Sequence, residues 1–292
     1  MKRKAPRAPT VAIIGVGLIG ASVGLAIRGA APRTRVIGFD RNIAAVWDAR
    51  RRGALSSIAQ TLESAVATAD VTVLAVPTPA IVKLLPRVVS SARARSLVID
   101  VAGLKQPVFA AAERAINARQ GVSVVCGHPL AGSERTGAQA ADPALFRARP
   151  FALCAPRQVR RPAALRKAEA FVRRLGARPV RITALDHDRI VAVTSALPQL
   201  VASATALAAT DVADRYRVLT GPGFASVTRL AATPAAVWED ALLTNKRNII
   251  SALAAFEARL RSFRRAIERD DGAALSRLLR MAAALQRRLR SS

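Results

Sequence analysis

A chain of 292 residues that carries 46 lysines and arginines holds just two histidines. One of them, His128, stands in GHPLAGSERTG (127–137), directly after the apolar run VSVV (122–125). That places an imidazole at the end of a segment with strand character. With an unperturbed pKa near 6.5, histidine is the side chain suited to taking a proton at neutral pH. The alternative is an ordinary loop histidine. The other, His187, lies in Asp-His-Asp (186–188), where Asp186 reads as a helix start and both acids suit the first turn. The expected role for His187 is helix-terminal and structural, with a bridge toward a bound cofactor as the alternative. Cys126, Cys154 and two histidines make neither a disulfide framework nor a zinc site, so no metal is expected.

The second constellation is glycine-based. VAIIGVGLIGASVGLAIRG places Gly15, Gly17 and Gly20 in G-x-G-x-x-G spacing, after a strand candidate and at the opening of a helix. A second strand ends at Asp40, twenty residues beyond Gly20. In that context the spacing is a dinucleotide fingerprint. Gly15 allows the tight turn, Gly17 the approach of a pyrophosphate, and Gly20 close helix–strand packing. Gly15, Gly17, Leu18, Ile19 and Gly20 are thus expected to touch the cofactor at the helix N-terminus. Asp40 would hydrogen-bond the adenosine ribose and favour NAD; the adjacent Arg41 keeps NADP as the alternative. Pro77, closing the run VTVLAV (71–76), is expected along the cofactor or as a simple strand stop.

These residues need a scaffold, and the first half supplies one. Strand candidates at 11–14, 35–39, 71–76, 96–100, 122–125, 151–155 and 177–182 alternate with helical stretches at 18–29, 43–52, 61–68, 78–91, 105–119 and 162–175. The alternation implies an α/β fold, a Rossmann-type doubly wound and mostly parallel sheet with helices on both faces. After Ile182 the pattern becomes helical, with Leu253, Phe256, Leu260 and Phe263 recurring at helical spacing as a core-facing stripe. The reading is a dinucleotide-binding domain over 1–182 and a helical substrate and dimerisation domain over 183–292. Ile190 to Thr210 is uncharged and imitates a membrane span, but Pro198, Gln199 and its many alanines favour a buried helix of a soluble domain. No apolar run of signal-peptide type follows the basic N-terminus, so a cytoplasmic protein without a membrane partner is expected. The net charge of +27 is spread from end to end and aromatics are 4% of the chain, which argues against nucleic acid as a partner.

With these motifs in order, the sequence resembles the prephenate and arogenate dehydrogenases. GHPLAGSERTGAQAADPALFRARPFALCAP is similar to their His-Pro-x-Ala-Gly-Ser/Thr-Glu segment. DHDRIVAVTSALPQLVASATAL is similar to their helix carrying Ser-His-Leu-Pro-His, and GPGFASVTRLAATPAAVWEDALLTNK to a later Gly-rich segment with Thr-Arg and Trp. The resemblance implies NAD-dependent oxidative decarboxylation of a cyclohexadienyl acid in tyrosine biosynthesis by a homodimer. It implies His128 as the catalytic residue on the ring hydroxyl, Ser133 and Glu134 as active-site neighbours, and Arg229 as the fork for a substrate carboxylate. Trp238 and Ser195 fall on further substrate-pocket positions.

Three positions depart from the family. DVAGLK (100–105) has Gly103 where relatives often carry serine, and SALPQ (195–199) has Ala196 and Gln199 where they often carry histidines. Gln199 both donates and accepts, so it suits a keto acid or an ammonium-bearing side chain. Arogenate is therefore expected as a substrate beside or instead of prephenate. The alternatives are another Rossmann-plus-helical dehydrogenase, of β-hydroxyacid or pyrroline-carboxylate type, and a catalytically idle nucleotide-binding regulator.

Overall fold

A computed structural model of the protein describes residues 7–117, 121–132, 135–156, 162–210 and 218–290. The chain divides into two compact units, Met1–Asp188 and Arg189–Ser292. In the first unit, β1 (Thr10–Ile14), α1 (Leu18–Ala30), β2 (Arg35–Phe39), α2 (Ile43–Arg51), β3 (Ser57–Ile58), α3 (Leu62–Val66), β4 (Val71–Leu74) and α4 (Thr78–Ser91) come first. They are followed by β5 (Leu97–Asp100), α5 (Gln106–Asn117), β6 (Ser123–Pro129), β7 (Pro150–Cys154), α6 (Pro162–Arg174) and β8 (Arg178–Arg181).

The strands form one sheet in the order β3-β2-β1-β4-β5-β6-β7-β8. Winding reverses between β1 and β4, the switch point beside which open α/β sheets bind ligands, at the carboxyl ends of their strands. β1 and β5 are buried at every residue, as expected of runs rich in Val and Ile covered on both faces. Alternate residues feed two cores. Val11, Ile13, Val73, Leu97 and Ile99 pack with Val23 and Ile27 of α1 and Val172 of α6. Ala12, Ile14, Leu74 and Val98 pack with Ile81 and Leu85 of α4 and Ala112 of α5. Each buried Leu, Ile or Val contributes about 1.5–3 kcal/mol, so the two-sided burial is what holds the sheet.

One pairing is not parallel. β6 runs parallel to β5 from Ser123 to Val125, then pairs antiparallel with β7 from Cys126 to Pro129. The strand is therefore longer than its valine-rich run. β3, only two residues, has no counterpart among the predicted strands.

α7 (Ala184–Val191) starts two residues before Asp186. The hydroxyl of Thr183 accepts from the Asp186 backbone N–H at 3.1 Å and donates to its carboxylate at 2.7 Å. Thr183 is thus the cap, and Asp186 lies inside the first turn.

The second unit is helical. A π-helical turn at Ala192–Ala196 leads to α8 (Leu197–Ala208), followed by α9 (Pro222–Thr228), α10 (Ala235–Thr244), α11 (Lys246–Glu268) and α12 (Gly272–Arg290). Ala192, Ala196 and Ile249 form its small core, with Trp238, Leu242 and Leu253 against it. The expectation of a buried apolar helix needs correction here. Ala184–Ala208 is long and apolar enough to cross a membrane by length and composition, and only 28% of its most apolar window is buried within the chain. Ile190, Val193 and Leu207 are exposed. Leu260 of the α11 stripe is also exposed, so that stripe is only partly covered by its own chain.

Candidate active site

The glycine loop joins β1 to α1. Gly15 has φ +92°, and a Cβ built there would stand 2.4 Å from the carbonyl oxygen of Ala75. A Cβ on Gly20 would stand 1.9 Å from the carbonyl oxygen of Gly15, whereas one on Gly17 would meet nothing within 4 Å. So Gly15 and Gly20 are fixed by the fold itself, while Gly17 faces open space. Gly17 caps α1 without any side-chain bond to the helix end, and the first turn has no acidic residue. Leu18 and Ile19 open that turn, half-buried. An uncapped helix start behind an unobstructed glycine fits a pyrophosphate.

Asp40, at the end of β2, accepts from the Val16 N–H at 3.0 Å and from the Asn42 N–H at 2.9 Å, tying the strand end to the glycine loop. Arg41 is exposed. Pro77 is exposed at the start of α4, just beyond the carboxyl end of β4.

His128 lies on the half of β6 that projects past β5. There the β5 side of the strand has no ladder partner, and side chains replace it. The Gly127 N–H donates to the Asp100 carboxylate at 3.1 Å, and the Gly127 carbonyl accepts from the Lys105 ammonium. Lys105 also pairs with Asp100, which accepts from the Ala102 N–H at 2.9 Å. Lys105 is 0% exposed and Asp100 2%, so each charge depends on the other for compensation. Gly127 is required too, since a Cβ there would lie 2.6 Å from the Asp100 carbonyl oxygen.

The two histidines meet. Nδ1 of His128 is 2.9 Å from Nε2 of His187, with ring centroids 5.1 Å apart and planes at 72°. Nδ1 of His187 is 2.7 Å from the Asp188 carboxylate. Asp188 also accepts from the backbone N–H of Lys105 at 2.8 Å and of Gln106 at 2.9 Å. His187 and Asp188 are 2% and 1% exposed. The helix-terminal reading of His187 and Asp188 is therefore incomplete: His187 contacts the candidate base, and Asp188 binds His187 and the backbone at the start of α5. Burial, then the Lys105 charge, then His187 hold the His128 imidazole well below its ordinary pKa. It is thus kept neutral and able to accept a proton. Behind it, burial raises the thiol of Cys126 well above its usual range and that of Cys154 to about 12, so neither is a nucleophile.

A Cβ on Gly103 would stand 4.0 Å from His128 Nε2. In the second unit, Ser195 is exposed in the π turn and Arg229 is exposed. Gln199 is buried, with its amide NH2 3.4 Å from the Ser203 hydroxyl. The Gln199 carbonyl oxygen and the Trp238 indole N–H have no hydrogen-bond partner among the described residues. Ser133 and Glu134 lie outside the described residues. No group of metal-ligating side chains occurs among the described residues.

Residues 23–181 match the family model "prephenate dehydrogenase, nucleotide-binding domain", and 183–281 match "prephenate dehydrogenase, dimerization domain". The prephenate dehydrogenase of Bacillus subtilis is 28% identical over 94% of this chain and 74% of its own length. The cyclohexadienyl dehydrogenase of Zymomonas mobilis is 27% identical over 90% and 89%. In fold, the chain is similar to the A. aeolicus prephenate dehydrogenase crystallised with hydroxyphenyl propionate and NAD+. The TM-score is 0.84 at 22% identity, over 98% of this chain and 100% of that one.

Proposed function

Since the chain belongs to the prephenate dehydrogenase family, we propose that it catalyses the NAD-dependent oxidative decarboxylation of prephenate, arogenate or both. The observation that carries this reading is the imidazole on the sheet edge that also bears the glycine loop, its pKa lowered and its Nδ1 engaged by a second histidine. β1, β4, β5 and the first half of β6 run parallel, so their carboxyl ends share one edge.

When bound, NAD supplies the hydride acceptor. Gly15, Gly17, Leu18, Ile19 and Gly20 would hold its pyrophosphate and Asp40 its ribose, with Arg41 and Pro77 as further cofactor residues. His128 Nε2 takes the proton of the ring hydroxyl while the carbinol hydrogen departs as hydride. The ring carboxylate leaves as CO2 and the ring becomes aromatic. Arg229 holds a substrate carboxylate as a planar charged fork. By the resemblance, Ser133, Glu134, Ser195 and Trp238 are further substrate-site positions. The carbonyl oxygen of buried Gln199, without a partner among the described residues, calls for a donor, which the ammonium of arogenate has and the keto group of prephenate lacks.

In the same reading, residues 1–182 form the dinucleotide domain and 183–292 the substrate and dimerisation domain. The exposed Ile190, Val193, Leu207 and Leu260 support a homodimer through the helical part. Two buried free thiols support a cytoplasmic setting.

The test is cofactor reduction with prephenate and arogenate, each with NAD and NADP. Arogenate with NAD should give the higher kcat/KM, and a strong preference for prephenate would remove the role given to Gln199. His128→Asn should lower kcat by roughly 10²–10⁴-fold with NAD affinity nearly intact. Turnover close to wild type in that variant would end its assignment as base.

A further inference from the structure

Hydrogen-bond direction along the histidine pair can be worked out from its buried end. Asp188 accepts from the backbone N–H groups of Lys105 and Gln106, one on each carboxylate oxygen, so both oxygens already act as acceptors. The His187 nitrogen 2.7 Å from it must then carry the hydrogen. In a neutral ring the other nitrogen, Nε2, is a bare lone pair. His128 Nδ1, 2.9 Å from that lone pair, can only donate to it. The proton of His128 is thereby placed on Nδ1 and its Nε2 is left bare. Nε2 is the atom that faces the space beside Gly103.

We infer that Asp188 and His187 form a positioning relay that holds His128 in its Nδ1–H tautomer, with the Nε2 lone pair presented at the sheet edge. Without the relay, an imidazole prefers the opposite Nε2–H form, which has no lone pair on that side. Among the described residues, the charged and titratable groups around His128 are Asp100 at the end of β5, Lys105 from the β5–α5 connection, His187 and Asp188 from α7, Cys126 on its own strand and Cys154 on β7. Of these, only His187 is bonded to the ring among the described residues. The catalytic consequence rests on His128 being the base, as proposed above; the tautomer does not.

Because the chain has just two histidines, ¹⁵N-histidine labelling of the full-length protein gives two imidazoles, and either variant below leaves one. Long-range ¹⁵N–¹H correlation at pH 8 should show both wild-type rings neutral and in the Nδ1–H form. In His187→Ala, His128 should switch to the Nε2–H form. In His187→Gln, whose amide oxygen can stand where Nε2 stood, it should keep the Nδ1 proton. If turnover is present, His187→Ala should lower kcat about 10²-fold with the KM for NAD unchanged, and His187→Gln should recover most of that loss. A wild-type His128 protonated on Nε2, or a doubly protonated His187, would overturn the relay whatever the activity. So would a His128 that keeps its Nδ1 proton in the alanine variant. Correct tautomers without turnover on either substrate would instead count against the functional proposal and leave the relay standing.

Discussion

Replacing Lys105 by methionine removes one half of the Asp100–Lys105 pair while keeping a long apolar stem. Lys105 is 0% exposed and Asp100 2%, so the carboxylate left behind cannot turn to solvent. It keeps the backbone donors of Ala102 and Gly127, while the Gly127 carbonyl loses the ammonium. Breaking a buried pair from one side costs about 3–5 kcal/mol, a large part of the roughly 5–15 kcal/mol that stabilises a typical domain. With a urea dependence of about 2 kcal/mol per molar, the unfolding midpoint of the first unit should fall by about 2 M. Trp47 in α2 and Trp238 in α10 are the chain's tryptophans. Fluorescence of Trp47 in a Trp238→Phe background therefore reports the first unit alone. Asp100→Asn combined with Lys105→Met removes both charges and should recover at least half of the loss, because the asparagine oxygen can still accept from Ala102. A single-variant shift below about 0.5 M, or additive losses in the double variant, would show that the pair is not desolvated.

Two further outcomes follow from the geometry. Gly17→Ala should leave stability within about 0.5 kcal/mol, since its Cβ meets nothing within 4 Å, yet weaken NAD binding at least tenfold by titration. Gly20→Ala, whose Cβ would meet the Gly15 carbonyl oxygen at 1.9 Å, should cost about 1–3 kcal/mol in thermal or urea unfolding; the reverse ranking would refute the assigned division of roles. The lowered pKa of His128 fixes a sign for pH dependence: a base must be neutral to act, so kcat/KM should stay flat from pH 8 down through 6.5 and fall only at lower pH. Removing the Lys105 charge, the second cause of that shift, should move the acid limb up toward 6.5. A wild-type limb at 6.5 or above would contradict the burial of the ring. The same lowered pKa contributes stability that is complete above 6.5, where the unfolded ring is neutral, and is lost as pH falls through the folded value.

The alternation of β-branched runs with helices made most of the scaffold readable, because strands buried on both faces are continuous apolar segments. RVIGF was bounded to the residue. The tail of β6 was not, since Gly127 and Pro129 disfavour strands and only antiparallel pairing with Phe151–Cys154 draws them into the sheet. Ser57–Ile58 is too short to announce itself. The glycine spacing was legible because its requirement is steric and local. The roles of His187 and Asp188 were not, because an acid near the start of a helix looks the same whether it faces water or a neighbouring loop. A pointer existed in Thr183, three residues before Asp186, as a cap-and-acid pair that moves the helix start. DVAGLK drew attention for a missing serine, whereas its Asp100 and Lys105 carry the site's buried charge. Apolarity of the 190–210 segment likewise could not say what covers it, and most of the apolar window within Ala184–Ala208 is not buried by this chain.

On its β5 side the outer half of β6 is held by an amine and a carboxylate instead of a run of peptide groups, while β7 pairs with its other side. Main-chain ladders are indifferent to residue identity, so they resist evolutionary adjustment. A seam made of Asp100 and Lys105 can be shortened, lengthened or neutralised one codon at a time. The β5 side of the strip that carries His128 can thereby be adjusted while the valine ladder behind it stays in register.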